Sequence, residues 1–437
     1  MKTYLEPAKE IPVKTEVDVL VCGAGPGGFG AAVAAARAGA KTMLLEQTAW
    51  IGGVATSGLM SHWTGESEGP IYDELLERAR DTDKDYNYYG KKIRQGKTLI
   101  NPDKTRQAMV DMLEEAGVVI QLYTQVCNVI MDGKRVTGVI TESKSGREAI
   151  LARIVIDATG DGDVAFRAGA EFTKGREEDG RMQPVTVMFK IGGVDYSRAI
   201  MPGEFEDYFE VTNGEIQALG RKELTSPVGH VLLYPTTMPG VITVNMTNTT
   251  GVDGTKVEDL TRGDLACRRQ IPAIIDFLRR NAPGYEHCHL LVSAPQLGVR
   301  ETRHFLGLAT VQKSDIEQAR IFDDWIATRC FFNFDIHGLN GPGLDVTGAQ
   351  NEFKQKKKYT IPYGAIVPKS VDGLLLCGRN ISGSHVAHSN YRAMPVVLNI
   401  GQGAGVAAAV CVRENRQPRQ ADVKKIQQVL AAQGVRI

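Results

Sequence analysis

The sequence predicts an α/β fold organised around a parallel sheet, and three observations carry the prediction. Residues 17–21 read VDVLV, a β-branched apolar run of strand length. The chain then turns abruptly through glycines into GFGAAVAAARAGA, a small-residue segment of helical length. A second apolar run, KTMLLE, follows and closes on Glu46. Strand, tight turn, helix and strand within residues 17–46 form one βαβ unit, whose right-handed crossover makes its strands parallel.

The remaining elements extend this start. Residues 101–117 carry a helical pattern with Ala108, Met109, Met112 and Leu113 on one face, and residues 118–143 follow as a small β-meander whose hairpin turns at Asp132 and Gly133. EAILARIVIDATGDGD is a further apolar strand that ends on small and acidic residues. From 174 to 358 the texture changes to short strands and Pro and Gly turns, with one amphipathic helix near Leu260–Asn281. The last 80 residues or so return to the first texture, with VDGLLLCGRN as a buried strand and PVVLNIGQGAGVAAAVCV as a small-residue helix. The expected organisation is a nucleotide-binding unit from 15–173 and 359–437, interleaved with an α+β substrate or cap domain at 174–358. At 437 residues the chain has room for such a division, since domains run to roughly 100 to 200 residues. No fixed-period repeat is present, and the basic run KQKKK at 354–358 is expected to be a solvated loop.

Charge and cysteine usage exclude several function classes. Lys+Arg and Asp+Glu both number 51, so no net field draws in nucleic acid or an anionic membrane. The seven cysteines are scattered and include no CxxC pair, which argues against a disulfide framework, structural zinc or an iron-sulfur cluster. No metal is expected. The opening residues MKTYLEPAKEIPVKTE lack the apolar segment of an export signal, and no stretch reads as a membrane span of roughly 20 apolar residues. A cytoplasmic protein acting on a small molecule is the expectation, with oligomeric state open.

The chemistry starts at Gly23, Gly25 and Gly28. Glycine is needed where a strand turns sharply, where backbone must approach a pyrophosphate, and where helix packs closely on strand. Ala24, Pro26 and Gly27 complete the loop, which opens a helix whose N-terminus favours phosphate. Glu46, about 20 residues on at a strand end, is placed to accept hydrogen bonds from a ribose and would repel the extra phosphate of NADP. Gly52 and Gly53 suggest a second backbone approach. On these residues the dinucleotide is FAD or NAD.

VCGAGPGGFGAAVAAARAGAKTMLLEQTAWIGGVATSG resembles the N-terminal FAD signature of glutathione-reductase-like (GR2-type) flavoproteins. IDATGDGDVAFRAGA is similar to the second FAD motif of that superfamily, and LLLCGRNISGSHVAHSNYRAMPVVLNIGQGAGVAAA to its C-terminal flavin segment. With LGVRETRHFLG, they resemble an FAD-dependent oxidoreductase family whose substrate is often unassigned. The resemblance implies FAD in a glutathione-reductase-like, Rossmann-type domain. It brings Gln47, Val54 and Val126 to the cofactor, then Ala158, Thr159, Gly160 and Asp161, then Gly378, Arg379, Met394, Pro395, Val396 and Val397. Pro395 suits the first turn of a helix, and the amides of Val396 and Val397 are then placed to face the flavin's N1/O2 edge. Gly401, Gly403, Ala404 and Gly405 would let that helix lie close to the first βαβ unit.

Catalytic candidates cluster ahead of that helix. Arg392 follows His385 by seven residues and His388 by four, a polar run that either faces the ring as a substrate anchor or proton relay or contributes only surface or core histidines. Relatives of succinate dehydrogenase and fumarate reductase similarly place a His and an Arg upstream of their flavin helix, with a different intervening length. Arg300, Glu301 and Arg303 are either an ion-pair network or a clamp that leaves one guanidinium free for a carboxylate. His62 and Trp63 are candidates to lie over the flavin, and a His-linked flavin stays open. A second nucleotide unit and a CxxxxC pair are both absent from the sequence, so the expected electron partner is oxygen, a quinone, a redox protein or the substrate itself. The expected activity is hydride transfer between a small organic substrate and flavin N5. Two rivals remain: a flavin-dependent modification enzyme of RNA or thiazole type, favoured if Cys127 or Cys377 lies near the flavin, and a non-catalytic flavin-binding protein.

Overall fold

A computed structural model describes residues 2–80, 87–88, 91–92, 99–345 and 353–437. β1 (Val13–Cys22) has no exposed side chain from Val19 onward. Cover on both faces is what selects a continuous apolar strand in a parallel sheet. α1 (Pro26–Arg37) and β2 (Thr42–Leu45) follow, with Val19 opposite Thr42 in a parallel ladder. Then come α2 (Val54–Ser57), α3 (Pro70–Ala79) and the antiparallel pair β3 (Asn87–Tyr88) and β4 (Lys91–Lys92). α4 (Pro102–Glu115) forms where the pattern places it. Asn101 caps it by accepting from the amides of Asp103 and Lys104, and proline opens the first turn.

The stretch read as one β-meander divides in two. β5 (Val119–Gln121) pairs parallel with β2 at the sheet edge, while β6 (Thr124–Asp132), β7 (Arg135–Ser143) and β8 (Gly146–Asp157) run antiparallel. The hairpin turns where predicted, with Gly133 at φ +58°. β8 is long enough to serve two ladders, antiparallel to β7 at its start and parallel to β1 through Asp157. The main sheet has the order β5-β2-β1-β8-β7-β6. α5 (Asp163–Arg167) and β9 (Phe172–Lys174) leave it.

The middle of the chain builds a second, antiparallel sheet. β10 (Phe189–Gly192) is followed by β11 (Glu210–Val211), β12 (Gly214–Glu215), α6 (Ile216–Glu223), β13 (Leu233–Pro235) and β14 (Ile242–Val244). α7 (Val257–Asn281) starts three residues before the predicted helix and leads to β15 (His289–Ser293). The order is β13-β14-β10-β15. Its own core joins Phe189, Ile191, Ile242 and Val244 to Ile271, Ile274, Phe277 and Leu278 of α7. β16 (Arg303–Phe305) pairs with β9, then α8 (Lys313–Glu317) and β17 (Trp325–Cys330) follow, and β18 (Tyr359–Pro362) pairs with β17. The basic run is only partly the expected solvated loop. Lys354, Lys356 and Lys357 are exposed, whereas Gln355 is buried and Lys358 pairs with Glu68.

The chain then returns to the first sheet. β19 (Leu374–Leu376) pairs parallel with β8, and α9 (His385–Tyr391), α10 (Met394–Glu414) and α11 (Val423–Ala432) complete the fold. α10 lies against α1 with backbone touching backbone. A Cβ on Gly401 would stand 2.0 Å from the Gly27 carbonyl oxygen, and one on Gly405 2.1 Å from that of Ala31. These glycines are four residues apart and share one helical face. Gly403, predicted to join this contact, faces Ile326 of β17 instead. Among the described residues α10 is also a helix long and apolar enough to cross a membrane, although the sequence reading found no such stretch; 94% of its most apolar part is buried in the core.

Gly405→Val should destabilise the fold by about 3 kcal/mol, the upper end of overpacking costs, because neither backbone can retreat. Gly203→Ala, whose Cβ meets no described atom closer than 3.9 Å, should change little. Urea unfolding of both variants tests this; equal midpoints would refute the backbone contact.

Candidate active site

β1 ends at the glycine loop, and the loop fills only part of the space in front of it. Gly23 has φ +103°, and a Cβ there would stand 2.3 Å from the Ala158 carbonyl oxygen. On Gly28 a Cβ would stand 1.8 Å from the Gly23 carbonyl oxygen, so this glycine serves helix-on-strand packing. Gly25 differs: no described atom lies within 4 Å of a Cβ built on it. It is also the N-cap of α1, with no side-chain cap. Bare amides at a helix start, facing open space, form an anion site. The turn of residues 158–163 is tied by Asp157, which accepts from the Thr159 amide at 3.1 Å and hydroxyl at 2.7 Å and from the Ala165 amide at 2.7 Å. Burial raises the Asp157 carboxyl to about 6 against these bonds.

That space belongs to a cavity of about 640 Å³. Its wall takes Gly23, Gly25, Pro26 and Gly27 from the loop, Glu46, Gln47, Gly53 and Val54 from the next turn, and Val126 from β6. Ala158, Thr159, Gly160 and Asp161 follow β8; Gly378, Arg379, Met394 and Val397 come from the far end of the chain. Glu46 accepts from the Ala24 amide at 3.0 Å and the Thr48 amide at 2.9 Å, which fixes its carboxylate at the wall. Ala24, Gly28, Gly52, Pro395 and Val396 stand behind the surface as support. The Val397 amide bonds the Ala393 carbonyl at 2.9 Å, so it is not the flavin-facing donor the sequence suggested.

A second cavity of about 350 Å³ adjoins the first, sharing Val54, Val299, Arg379, Arg392 and Met394. Arg379 pairs with Asp161 at 3.0 Å and passes over Gly160, where a Cβ would stand 2.9 Å from its Nη2. Among the described residues its buried Nη1 has no hydrogen-bond partner. Arg392 pairs with Asp335 at 3.1 Å and donates to Gln183 at 3.2 Å. Arg300 donates to the Pro184 carbonyl at 2.5 Å. Burial, with Arg392 nearby, lowers Arg300 to about 10, which leaves it protonated at neutral pH. The rest of the wall is mixed: Met60, Met188, Phe205, Leu232 and Phe331 are apolar, whereas Glu66, Glu204, Glu206 and Asp335 bring carboxylates to it. His62 lines this smaller cavity, edge-on to Tyr234 at 4.7 Å. Burial keeps the Tyr234 phenol far above its ordinary range.

Two expectations fail here. Among the described residues His385 and His388 line neither cavity; both turn to Glu301 and His304, because α9 presents them to the segment before β16. Trp63 is buried in a stack on Tyr72 rather than at either cavity. The RETR motif also separates: Arg303 pairs with Asp163 at 3.0 Å, Glu301 bonds histidines, and Arg300 alone of the three reaches a cavity. Cys377 does line the larger cavity, but burial pushes its thiol far up, so it stays protonated; Cys127 lies on the edge strand β6, away from both. Asp335 and His337, missed in the sequence, line the smaller cavity. Their alternation in FDIH was the available signal.

The larger cavity fits FAD on three counts: open space at Gly25, bare helix-start amides, and an orphaned arginine nitrogen on the wall shared with the smaller cavity. The sequence profile of the family described as FAD dependent oxidoreductase matches residues 18–430. Digeranylgeranylglycerophospholipid reductase 2 of Methanopyrus kandleri is 33% identical over 150 residues, 33% of this chain and 38% of that protein. The corresponding reductase of Picrophilus torridus is 28% identical over 162 residues, 34% of this chain and 40% of the relative. The chain thus matches about two fifths of the length of these relatives. A geranylgeranyl bacteriochlorophyll reductase-like protein from Thermoplasma acidophilum has a similar fold, with a TM-score of 0.50, 15% identity and coverage of 96% of this chain and 84% of that one.

Gly25→Val should fold yet purify without flavin, since its side chain enters open space that a pyrophosphate needs; flavin retained at one per chain would refute the loop assignment. A pH effect arises from His337 and His230. His337 faces His230, Asp335, Arg300, Arg392 and the Phe205 ring, and burial followed by Arg300 lowers it to about 4. Burial followed by His337 lowers His230 to about 3. An unfolded histidine titrates near 6.5, so the unfolded chain takes up protons first as pH falls. Their contribution is complete above pH 6.5 and is lost progressively toward pH 4 and then 3. Urea stability at pH 7 and pH 5 measures it, and His337→Gln should flatten the slope.

Proposed function

This chain belongs to the FAD dependent oxidoreductase family, and from that premise we propose that it oxidises or reduces a small organic acid held in the smaller cavity beside the flavin. When bound, FAD supplies a two-electron carrier that exchanges a hydride at N5. Gly23–Gly27 and the start of α1 would hold the diphosphate, Glu46 the ribose, and residues 158–161 with 378–379 and 394–397 the remainder. The observation that carries the reading is the cluster of Arg300, Arg379 and Arg392 on a cavity that shares a wall with the cofactor cleft, with Glu66, Glu204, Glu206 and Asp335 on the same lining. Among the described residues Arg392 is held by Asp335, while Arg300 has a single carbonyl partner by side-chain hydrogen bond and Arg379 retains its orphaned Nη1. Guanidinium groups so placed bind a carboxylate in a fixed orientation. Tyr234 keeps its proton, and His62 is the imidazole on hand to move one.

The geranylgeranyl chains named for the relatives suit this arrangement less well, since three cationic and four acidic side chains line a cavity of about 350 Å³ and such a chain can pair with none of them. A thiolate mechanism is disfavoured by the buried, protonated Cys377. We read the chain as two interleaved units, 15–173 with 359–437 and 174–358; the two sheets support the division, although Phe305, Val311, Ile316, Trp325, Ile326 and Phe334 of the second range join the core of the first unit. Seven cysteines, all unpaired, support a reducing compartment such as the cytoplasm.

Anaerobic mixing of the yellow protein with a metabolite panel tests the reading. Small carboxylic acids, or their unsaturated counterparts after chemical reduction of the flavin, should change its visible absorbance. Arg300→Ala should retain FAD and raise KM roughly 10- to 100-fold, the loss of a charge-assisted bond of about 1.5–3 kcal/mol. Equal turnover of acids and their neutral amides would defeat the proposal.

A further inference from the structure

Glu301, His304 and His388 come together away from both cavities. Each offers one ligand atom, and the three atoms lie within 4.8 Å of one another. All three residues are 98% or more buried, with exposures of 1%, 2% and 1%. The His304 and His388 rings meet edge to face at 4.6 Å. Among the described residues neither His304 Nδ1 nor His388 Nδ1 has a hydrogen-bond partner, and neither does His385 Nε2. Orphaned buried nitrogens cost about 1–3 kcal/mol each, so such a cluster calls for a ligand. The charge balance points the same way: one buried carboxylate stands among three imidazoles, with no arginine or lysine ion-paired to it among the described residues. The residues lie in an E-x-x-H run (301–304) and an H-x-x-H run (385–388), neither of which the flavin reading uses.

We propose that Glu301, His304 and His388 form a buried site for a first-row divalent cation of the zinc class, which ties α9 to β16. Two imidazole nitrogens and one carboxylate oxygen suit zinc and its neighbours, whereas calcium and magnesium require all-oxygen shells. His385 Nδ1, 2.6 Å from Glu301, and the Gln183 amide, 3.0 Å from it, are the outer partners that orient the carboxylate. A fourth position falls to water. Glu301 directly follows Arg300, and the Arg392 amide bonds the His388 carbonyl at 3.0 Å. The cation thus anchors the two chain segments that carry these arginines. This proposal departs from the sequence expectation of no metal, and it stands independently of the substrate proposal.

The test uses the flavin-loaded protein, incubated with Zn²⁺ and dialysed against metal-free buffer, with zinc and flavin counted per chain. About one zinc per chain is expected, and Co²⁺ in its place should give the ligand-field bands of a four- or five-coordinate ion. Glu301→Gln and His388→Ala should lose the metal while keeping flavin, and His385→Ala should weaken Zn²⁺ binding roughly 10- to 100-fold, as removal of an outer partner does. Wild-type protein that retains neither Zn²⁺ nor Co²⁺, or variants that keep wild-type metal content, would overturn the site and leave a purely hydrogen-bonded cluster. Should the variants fail to fold, the Co²⁺ spectrum of the wild type decides alone.

Discussion

The contact on which the rest depends is that of α1 with α10, where two helices approach until backbone meets backbone. Gly27 and Ala31 on one side face Gly401 and Gly405 on the other, and any side chain at the last two would collide with a carbonyl. Residues 374 positions apart, such as Gly27 and Gly401, are thereby brought to one crevice. The loop at Gly23–Gly28 gains its far wall, Met394 and Val397, only because this contact holds. Small residues that would be weak packers alone succeed here, because close approach lets both helices bury almost their whole surface.

A second constraint is electrostatic. Arg300, Arg379 and Arg392 lie near enough that burial and mutual repulsion lower Arg300 and Arg392. Asp335 and Asp161 compensate from opposite sides: His337 and the arginines overcome the burial of Asp335 and hold it well below the ordinary carboxylate range. Positive charge kept under such conditions needs anions or acceptors close by, and the orphaned Arg379 nitrogen shows that the protein itself does not supply them all. Structural pairing and ligand demand therefore meet on the wall that the two cavities share.

Local readings held where chemistry is local. The βαβ start, the Asp132–Gly133 hairpin and the helix over residues 102–115 follow from patterns a few residues long, and each is found in place. Readings that needed a direction in space did worse. His385 and His388 were read as facing the flavin because they precede α10, but a helical turn rotates both toward Glu301. Gly403 was grouped with Gly401 and Gly405 by composition, yet two residues along a helix is more than half a turn, and it meets β17. Asp335 and His337 went unremarked although they alternate in the run FDIH, and Tyr234 comes from β13, which carries no motif.

By itself, the sequence determined the nucleotide loop, the parallel sheet around it and, through resemblance, the cofactor class. These rest on backbone demands that glycine, proline and β-branched residues state directly. Only the tertiary structure decided which of three nearby charges in RETR reaches a cavity, and that β5 crosses to the parallel edge. It alone turned the histidines of α9 inward to a carboxylate. Side-chain direction and long-range neighbours depend on how packed elements rotate against each other, and no short stretch of chain encodes that rotation.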